Sequence, residues 1–139
     1  MADAKRLARL HRVRTLQLNL VRADEARARD KYTSEATLAA RITALADAVA
    51  PEPAEALGVS LGAAAHYRDR LHQSAVAATV RVDAAEQFAT RAAEATKAAR
   101  RDQNAVEKLI ARVEAQEALA AVRAMETAPV GKSKRHDPC

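Results

Sequence analysis

Aromatic residues are nearly absent. Two tyrosines, one phenylalanine and no tryptophan occur among 139 residues. Large rings dominate the buried area of rounded cores, so their scarcity excludes such a core. Alanine carries much of the 49% hydrophobic fraction. Burying its methyl stabilises little, because the gain scales with apolar area at ~25 cal/mol per Å². Small side chains instead let helix axes approach closely, toward the short end of the ~8–10 Å range. Glycine and proline number three and four. They sit at the ends and in one middle stretch, which argues for long uninterrupted helices rather than disorder. The single cysteine, Cys139, is the last residue. It forms no internal disulfide, points to no oxidising compartment and does not fit a prenylation box. No run approaches the ~18 apolar residues of a membrane span. The basic first twenty residues lack the apolar core of a secretory signal. The expectation is a cytoplasmic protein with at most peripheral membrane association.

What the chain has is helical periodicity. Residues 61–127 contain no proline, and good helix formers dominate them. Apolar residues recur there at a 3-4 spacing: Ala64, Tyr67, Leu71, Ala78, Ala85, Phe88, Ala92, Ala95, Ala99, Val106, Leu109, Val113 and Ala120. Only Ser74, Arg81, Asp102 and Gln116 interrupt the series. A seam this long predicts one continuous helix against another. Upstream, Asp3 is a candidate cap for a helix running to about Ala50. Its stripe reads Leu7, Leu10, Val13, Leu16, Leu20 and Val21, then Ala26, Ala28 and Tyr32, then Leu38, Ile42, Leu45 and Val49. Residues 22–35 are dominated by charge, with eight charged side chains among fourteen. They read as the same helix with a weak seam, supported by Glu25 with Arg29 at i,i+4; the alternative is a break there.

Pro51 and Pro53 stop the first helix. Residues 51–60 read as the bend, with a helical turn over 54–57 ended by Gly58 and Ser60 as the next N-cap. So short a connection makes the helices antiparallel neighbours. The fold class is therefore all-α: a two-helix coiled-coil hairpin over 1–127, with helices at about 3–50 and 61–127. Residues 128–139 read as a disordered basic tail. A turn centred near residue 55 sets residue x opposite roughly 110 minus x. Leu10 then faces Ala99 or Arg100, and roughly the last four turns of the second helix outrun the first. Val106, Leu109, Ile110, Val113 and Leu119 would be left as an uncovered apolar stripe, a partner site.

Charge is distributed along the rod. Residues 1–50 hold ten basic and six acidic side chains, and residues 61–127 hold ten and nine. Lys5, Arg6, Arg9, Arg12 and Arg14 gather at the open end with Arg100, Arg101, Lys108 and Arg112, whereas Asp47, Glu52 and Glu55 mark the bend. A basic end attracts acidic protein, nucleic acid or anionic lipid.

Catalytic and cofactor chemistry finds no footing in the sequence. Gly131-Lys132-Ser133 lacks the earlier glycine of a phosphate loop, since Glu126 stands there. His11, His66, His72 and His136 form no i,i+4 pair and no cysteine cluster joins them, so no metal site is expected. A two-helix hairpin offers no concave pocket for a nucleophile. No catalytic residue and no cofactor are expected. Base-stacking aromatics and recognised DNA-reading motifs are also missing, so no specific nucleic-acid partner is expected. Residues 5–21, where Leu and Arg alternate, could lie on a membrane surface.

Leu10, Val13 and Leu16, followed by Val21-Arg22-Ala23-Asp24-Glu25-Ala26, resemble the opening of the FliJ family of flagellar type III export components. Ala99-Arg100-Arg101-Asp102 with Val106-Glu107-Lys108-Leu109 resembles a basic run in that family's second helix. The resemblance covers roughly residues 7–120, and injectisome stalk proteins match almost equally well. It implies a non-catalytic stalk whose open end enters the export ATPase hexamer. The bend-proximal half would contact the cytoplasmic domain of the export gate, and unloaded export chaperones would be further partners. Carried onto this chain, the ATPase contact would fall on Arg9, Arg12, Arg100, Arg101, Val106, Leu109 and Val113. The gate contact would fall on Leu38, Ile42, Leu45 and Val49 of the first helix and Tyr67, Leu71, Ser74 and Ala78 of the second. Aliphatics stand where the family often has polar or aromatic residues, and the family's acidic C-terminal ending is replaced by Lys132-Ser133-Lys134-Arg135. The alternative is a generic coiled-coil adaptor or a basic nucleic-acid-binding protein.

Overall fold

The computed structural model describes residues 2–49 and 58–128. It contains two helices, α1 (Ala2–Ala48) and α2 (Gly58–Thr127), and no strand among the described residues. Helix α1 runs through residues 22–35 without a break, and Glu25 pairs with Arg29 as the spacing predicts. Asp3 lies in the first turn of α1, where its charge favours the helix dipole. Helix α2 starts three residues before the expected Leu61, so Gly58 opens it and Ser60 lies inside it rather than capping it. The expected proline stop at 51 and 53, the turn over 54–57 and, apart from Ala128, the disordered tail at 128–139 lie outside the described residues.

The helices pack antiparallel along their length. His11 reaches Glu107, Arg14 reaches Asp102, Glu35 reaches Arg81, and the Thr96 hydroxyl donates to the Val21 carbonyl. Residue numbers in these pairs add to 116–118, not 110. The expected register is thus off by one heptad. A seven-residue slip returns every side chain to the same face of a coiled coil, so periodicity alone does not detect it. The slip carries the amino end of α1 to Val113, where Ala4, Leu7 and Ala8 line a groove with Ile110 and Val113. At the other end, α1 stops level with about Arg68, ten residues past the start of α2. Helix α2 therefore outruns α1 at both ends, by about three turns each.

The seam of α1 is Leu7, His11, Arg14, Leu18, Val21, Glu25, Ala28, Tyr32, Glu35, Ala39, Ile42, Ala46 and Val49, every one at least half-buried. The spacing alternates four and three residues without a fault across the helix. On α2 it runs Leu71, Ala75, Ala78, Val82, Ala85, Ala89, Ala92, Thr96, Ala99, Gln103, Val106, Ile110 and Val113. In heptad letters, Leu71, Ala78, Ala85, Ala92, Ala99, Val106 and Val113 are d positions, as expected. Their partners are the a positions, not the g positions Tyr67, Phe88, Ala95 and Leu109. Phe88 and Tyr67 are each 53% exposed. On α1 the expected seam residues Leu10, Val13, Leu16, Leu20, Ala26, Leu38 and Leu45 face solvent.

Three causes favour the a/d seam. The g row would bury Arg81 and Asp102, and charges are costly to bury unpaired. At g they stay at the edge and bridge to Glu35 and Arg14, 3.2 Å in each case. The polar a residues are satisfied across the seam instead: Thr96 on the Val21 carbonyl, and the Gln103 amide donating to the Thr15 hydroxyl at 3.3 Å. A ring at Phe88 would also force apart helices that Ala85, Ala89 and Ala92 allow to close up. Among the described residues only Leu18, Ala28, Ala78, Ala85 and Val106 are buried, at 5% exposure or less, so the core is one residue thin.

Candidate interaction surfaces

In an antiparallel pair the g positions of both helices fall on one side of the rod and the e positions on the other. The grooves agree. One is lined by Val21, Asp24, Arg27, Ala28, Lys31, Phe88, Arg91, Ala92 and Ala95, all c, d or g positions. The groove at Leu7 and Ile110 lies on the opposite side and is edged by Glu114 and Glu117.

At the open end, the register sets Lys108 level with Arg9 and Arg112 level with Lys5. Arg9, Arg12, Arg100 and Arg101 are all exposed on this half of the rod; residues 98–127 of α2 hold five basic and five acidic side chains, so the net positive charge of this end comes from α1. Arg14 is spent on Asp102 and does not join it. The apolar part of the expected ATPase site divides. Val106 is 5% exposed and belongs to the seam, and Val113 and Ile110 are half-buried under the first turns of α1. These three have local partners, contrary to expectation, because the register shift lengthens the overlap. Leu109 stays exposed on the g side. The stripe that is uncovered lies further on, at Leu119, Val122 and Met125. Val122 and Met125, at heptad positions f and b, lie off the d/g row and so fall outside the stripe expected from the sequence.

The expected gate positions divide in the same way. Leu38, Leu45, Tyr67 and Ser74 are exposed and all sit at g, on one side of the rod near the bend. The register places Leu45 level with Ser74, and Tyr67 on the turns of α2 beyond α1. Ile42, Leu71 and Ala78 lie in the seam, with Ala78 only 1% exposed, and Val49 is half-buried where α1 ends. Half of the carried-over set is thus surface and half is core.

One signal in the sequence marks the g row as exposed. The interruptions Ser74, Arg81, Asp102 and Gln116 are all separated by multiples of seven. Four polar residues at a single heptad position identify an edge, whereas faults in a seam would scatter.

Electrostatics along the rod are local. The Lys97 ammonium donates a 2.8 Å hydrogen bond to Glu94. That bond, then the Lys97 charge, holds the Glu94 carboxyl below its ordinary value, with a smaller contribution from Arg101. Among the described residues no cluster of three or more His, Cys, Asp or Glu could hold a metal ion. Among the same residues no helix is long and apolar enough to cross a membrane.

These features define an antiparallel coiled-coil hairpin with unequal arms: basic at its open end, with exposed apolar residues at about half of the g positions along one side, and uncovered at both ends of the longer helix. No family model matches the chain, and no curated protein or solved structure matches it at a significant level.

Proposed function

We propose that this chain is a non-catalytic, FliJ-like stalk of a bacterial type III protein export apparatus. Its basic open end engages the ring of the export ATPase, and its bend-proximal side engages the cytoplasmic domain of the export gate. The observation that carries the reading is that exposed Arg9 and Arg12 of α1 and exposed Arg100 and Arg101 of α2 lie on the open-end half of the rod, from which about three turns of α2 protrude. A single helix protruding from a basic two-helix shaft suits insertion into a ring lumen. The protruding stripe Leu119, Val122 and Met125 supplies apolar contact, and the cations supply steering. The side that carries Leu38, Leu45, Tyr67 and Ser74 is the surface offered to the gate. Export chaperones are further partners under the same reading.

The test is titration of the full chain against purified flagellar export ATPase and against duplex DNA. ATPase binding and stimulation are expected, with DNA binding weaker than the ~10⁻⁴–10⁻⁶ M of non-specific binders at physiological salt. Leu119→Asp/Val122→Asp should abolish the ATPase response. Arg9→Glu/Arg12→Glu/Arg101→Glu should slow association, and the effect should shrink in high salt, where exposed charges are screened over ~8 Å or less. Tight DNA binding with no ATPase response would overturn the proposal.

A further inference from the structure

The outward face of the first turns of α1 differs from the rest of the rod. Residues 4–23 hold one lysine, five arginines and no acid. Arg14 turns inward to Asp102, but Lys5, Arg6, Arg9, Arg12 and Arg22 form no ion pair among the described residues. The nearby acids of α2 do not offset them. Asp102 is held by Arg14 and Glu107 by His11, while Glu114 and Glu117 edge the groove on the e side. Among these cations stand Leu10, Val13, Leu16 and Leu20, from 40% to 66% exposed. They occupy heptad positions g, c, f and c, on the side of α1 turned away from α2. Helix α1 thus carries these four aliphatics outside while its seam, beside Leu7, Leu18 and Val21, takes in His11, Arg14, Glu25 and Glu35.

We infer that this face docks on the anionic headgroup surface of a lipid bilayer. Helix α1 lies in the interface with its aliphatics sunk among the upper acyl carbons and its arginines on the phosphates. Leu109 and Arg112, level with Leu10 and Lys5, extend the face onto α2. A second copy of this surface is a poor occupant, because two acid-free cationic faces repel in either orientation. A partner helix is matched less well than a bilayer. Coiled-coil seams are narrow two-position stripes whose flanks carry both charge signs to set register. Here the exposed aliphatics spread over three heptad positions, about 100°; Arg6 and Arg9 share two of those positions in the first turns, Lys5 and Arg12 flank them, and all charges over residues 4–23 are of one sign. A broad aliphatic arc edged by arginine is the pattern of a helix lying in an interface, and no described helix could span instead.

The experiment is co-sedimentation of the full chain with vesicles of phosphatidylcholine alone and of equal parts phosphatidylcholine and phosphatidylglycerol. Pelleting is expected only with the anionic vesicles. Arg9→Gln/Arg12→Gln should weaken it about thirtyfold, at roughly fivefold per cation near an anionic surface. Val13→Gln/Leu16→Gln/Leu20→Gln leaves the charge unchanged and should weaken it on the order of tenfold or more. Leu16→Gln alone, at the most outward position, should act in the same direction with helicity unchanged. Absence of binding to anionic vesicles at low salt would overturn the inference. Binding insensitive to the glutamine substitutions, or equalled by binding to polyglutamate, would overturn it too, by assigning the face to acidic polymers in general. No ATPase enters this assay, so its outcome is separate from that of the export reading.

Discussion

Leu16 and Leu18 differ by two positions and by the whole of their surroundings. Leu18 is 2% exposed in the seam, whereas Leu16 is 64% exposed on the far side of the same turn. Truncation of leucine to alanine removes three carbons. At ~0.8 kcal/mol per buried CH₂, Leu18→Ala costs roughly 2.4 kcal/mol. The register sets Ala99 opposite Leu18, and the seam is one residue thin, so the helices can settle into part of the space. The cavity contribution stays small, and the total falls at the low end of the ~2–5 kcal/mol range for buried leucines. In a chain of this size 1 kcal/mol shifts the melting point by about 4 °C. Leu18→Ala should therefore melt roughly 10 °C below the parent protein. Leu16→Ala should stay within about 0.5 kcal/mol of it, since it loses little burial and alanine is the better helix former. Thermal unfolding followed by circular dichroism at 222 nm, the helical minimum, measures both. Ile110→Ala and Leu109→Ala repeat the contrast on α2, one in the seam and one 44% exposed. A loss at Leu16 equal to that at Leu18 would refute the a/d seam and restore the leucine-rich face as the core.

Two further outcomes follow from the same geometry. Ala85 is buried and level with Tyr32, so Ala85→Leu should overpack the seam and cost about 1–3 kcal/mol, whereas Ala77→Leu on the exposed face should be nearly neutral by the same melting assay. Glu94 should titrate below the ordinary value of a glutamate in an NMR pH series, because Lys97 holds its charged form. A carboxyl lowered in the folded state stabilises above its unfolded value, and that stabilisation fades as pH falls through the lowered one. Lys97→Ala should move the Glu94 midpoint up, and an unmoved midpoint would refute the pairing.

The sequence by itself determined two long helices, their antiparallel pairing, the lengthwise polarity of charge and the d half of the α2 seam. Each of these rests on local information: proline placement, a 3-4 repeat, and the residues at either end. The tertiary structure alone decided two things. One is which row completes the seam, on which the apolar pattern misleads and the heptad-spaced polar residues of the g row are the single sequence signal. In an alanine-rich helix the d/g and d/a stripes are almost equally apolar, and Tyr67, Phe88 and Leu109 make d/g the richer of the two. The choice falls on d/a because Arg81 and Asp102 then reach Glu35 and Arg14 from the edge, and Thr96 and Gln103 find partners across it. The other is the register. Seven residues is a whole period of the pattern, so periodicity is blind to a slip of that size, and alanine offers no volume to fix it. Cross-helix pairs between residues about a hundred apart, such as His11 with Glu107, do fix it. They also decide that Val113 is covered and that Leu119 is not.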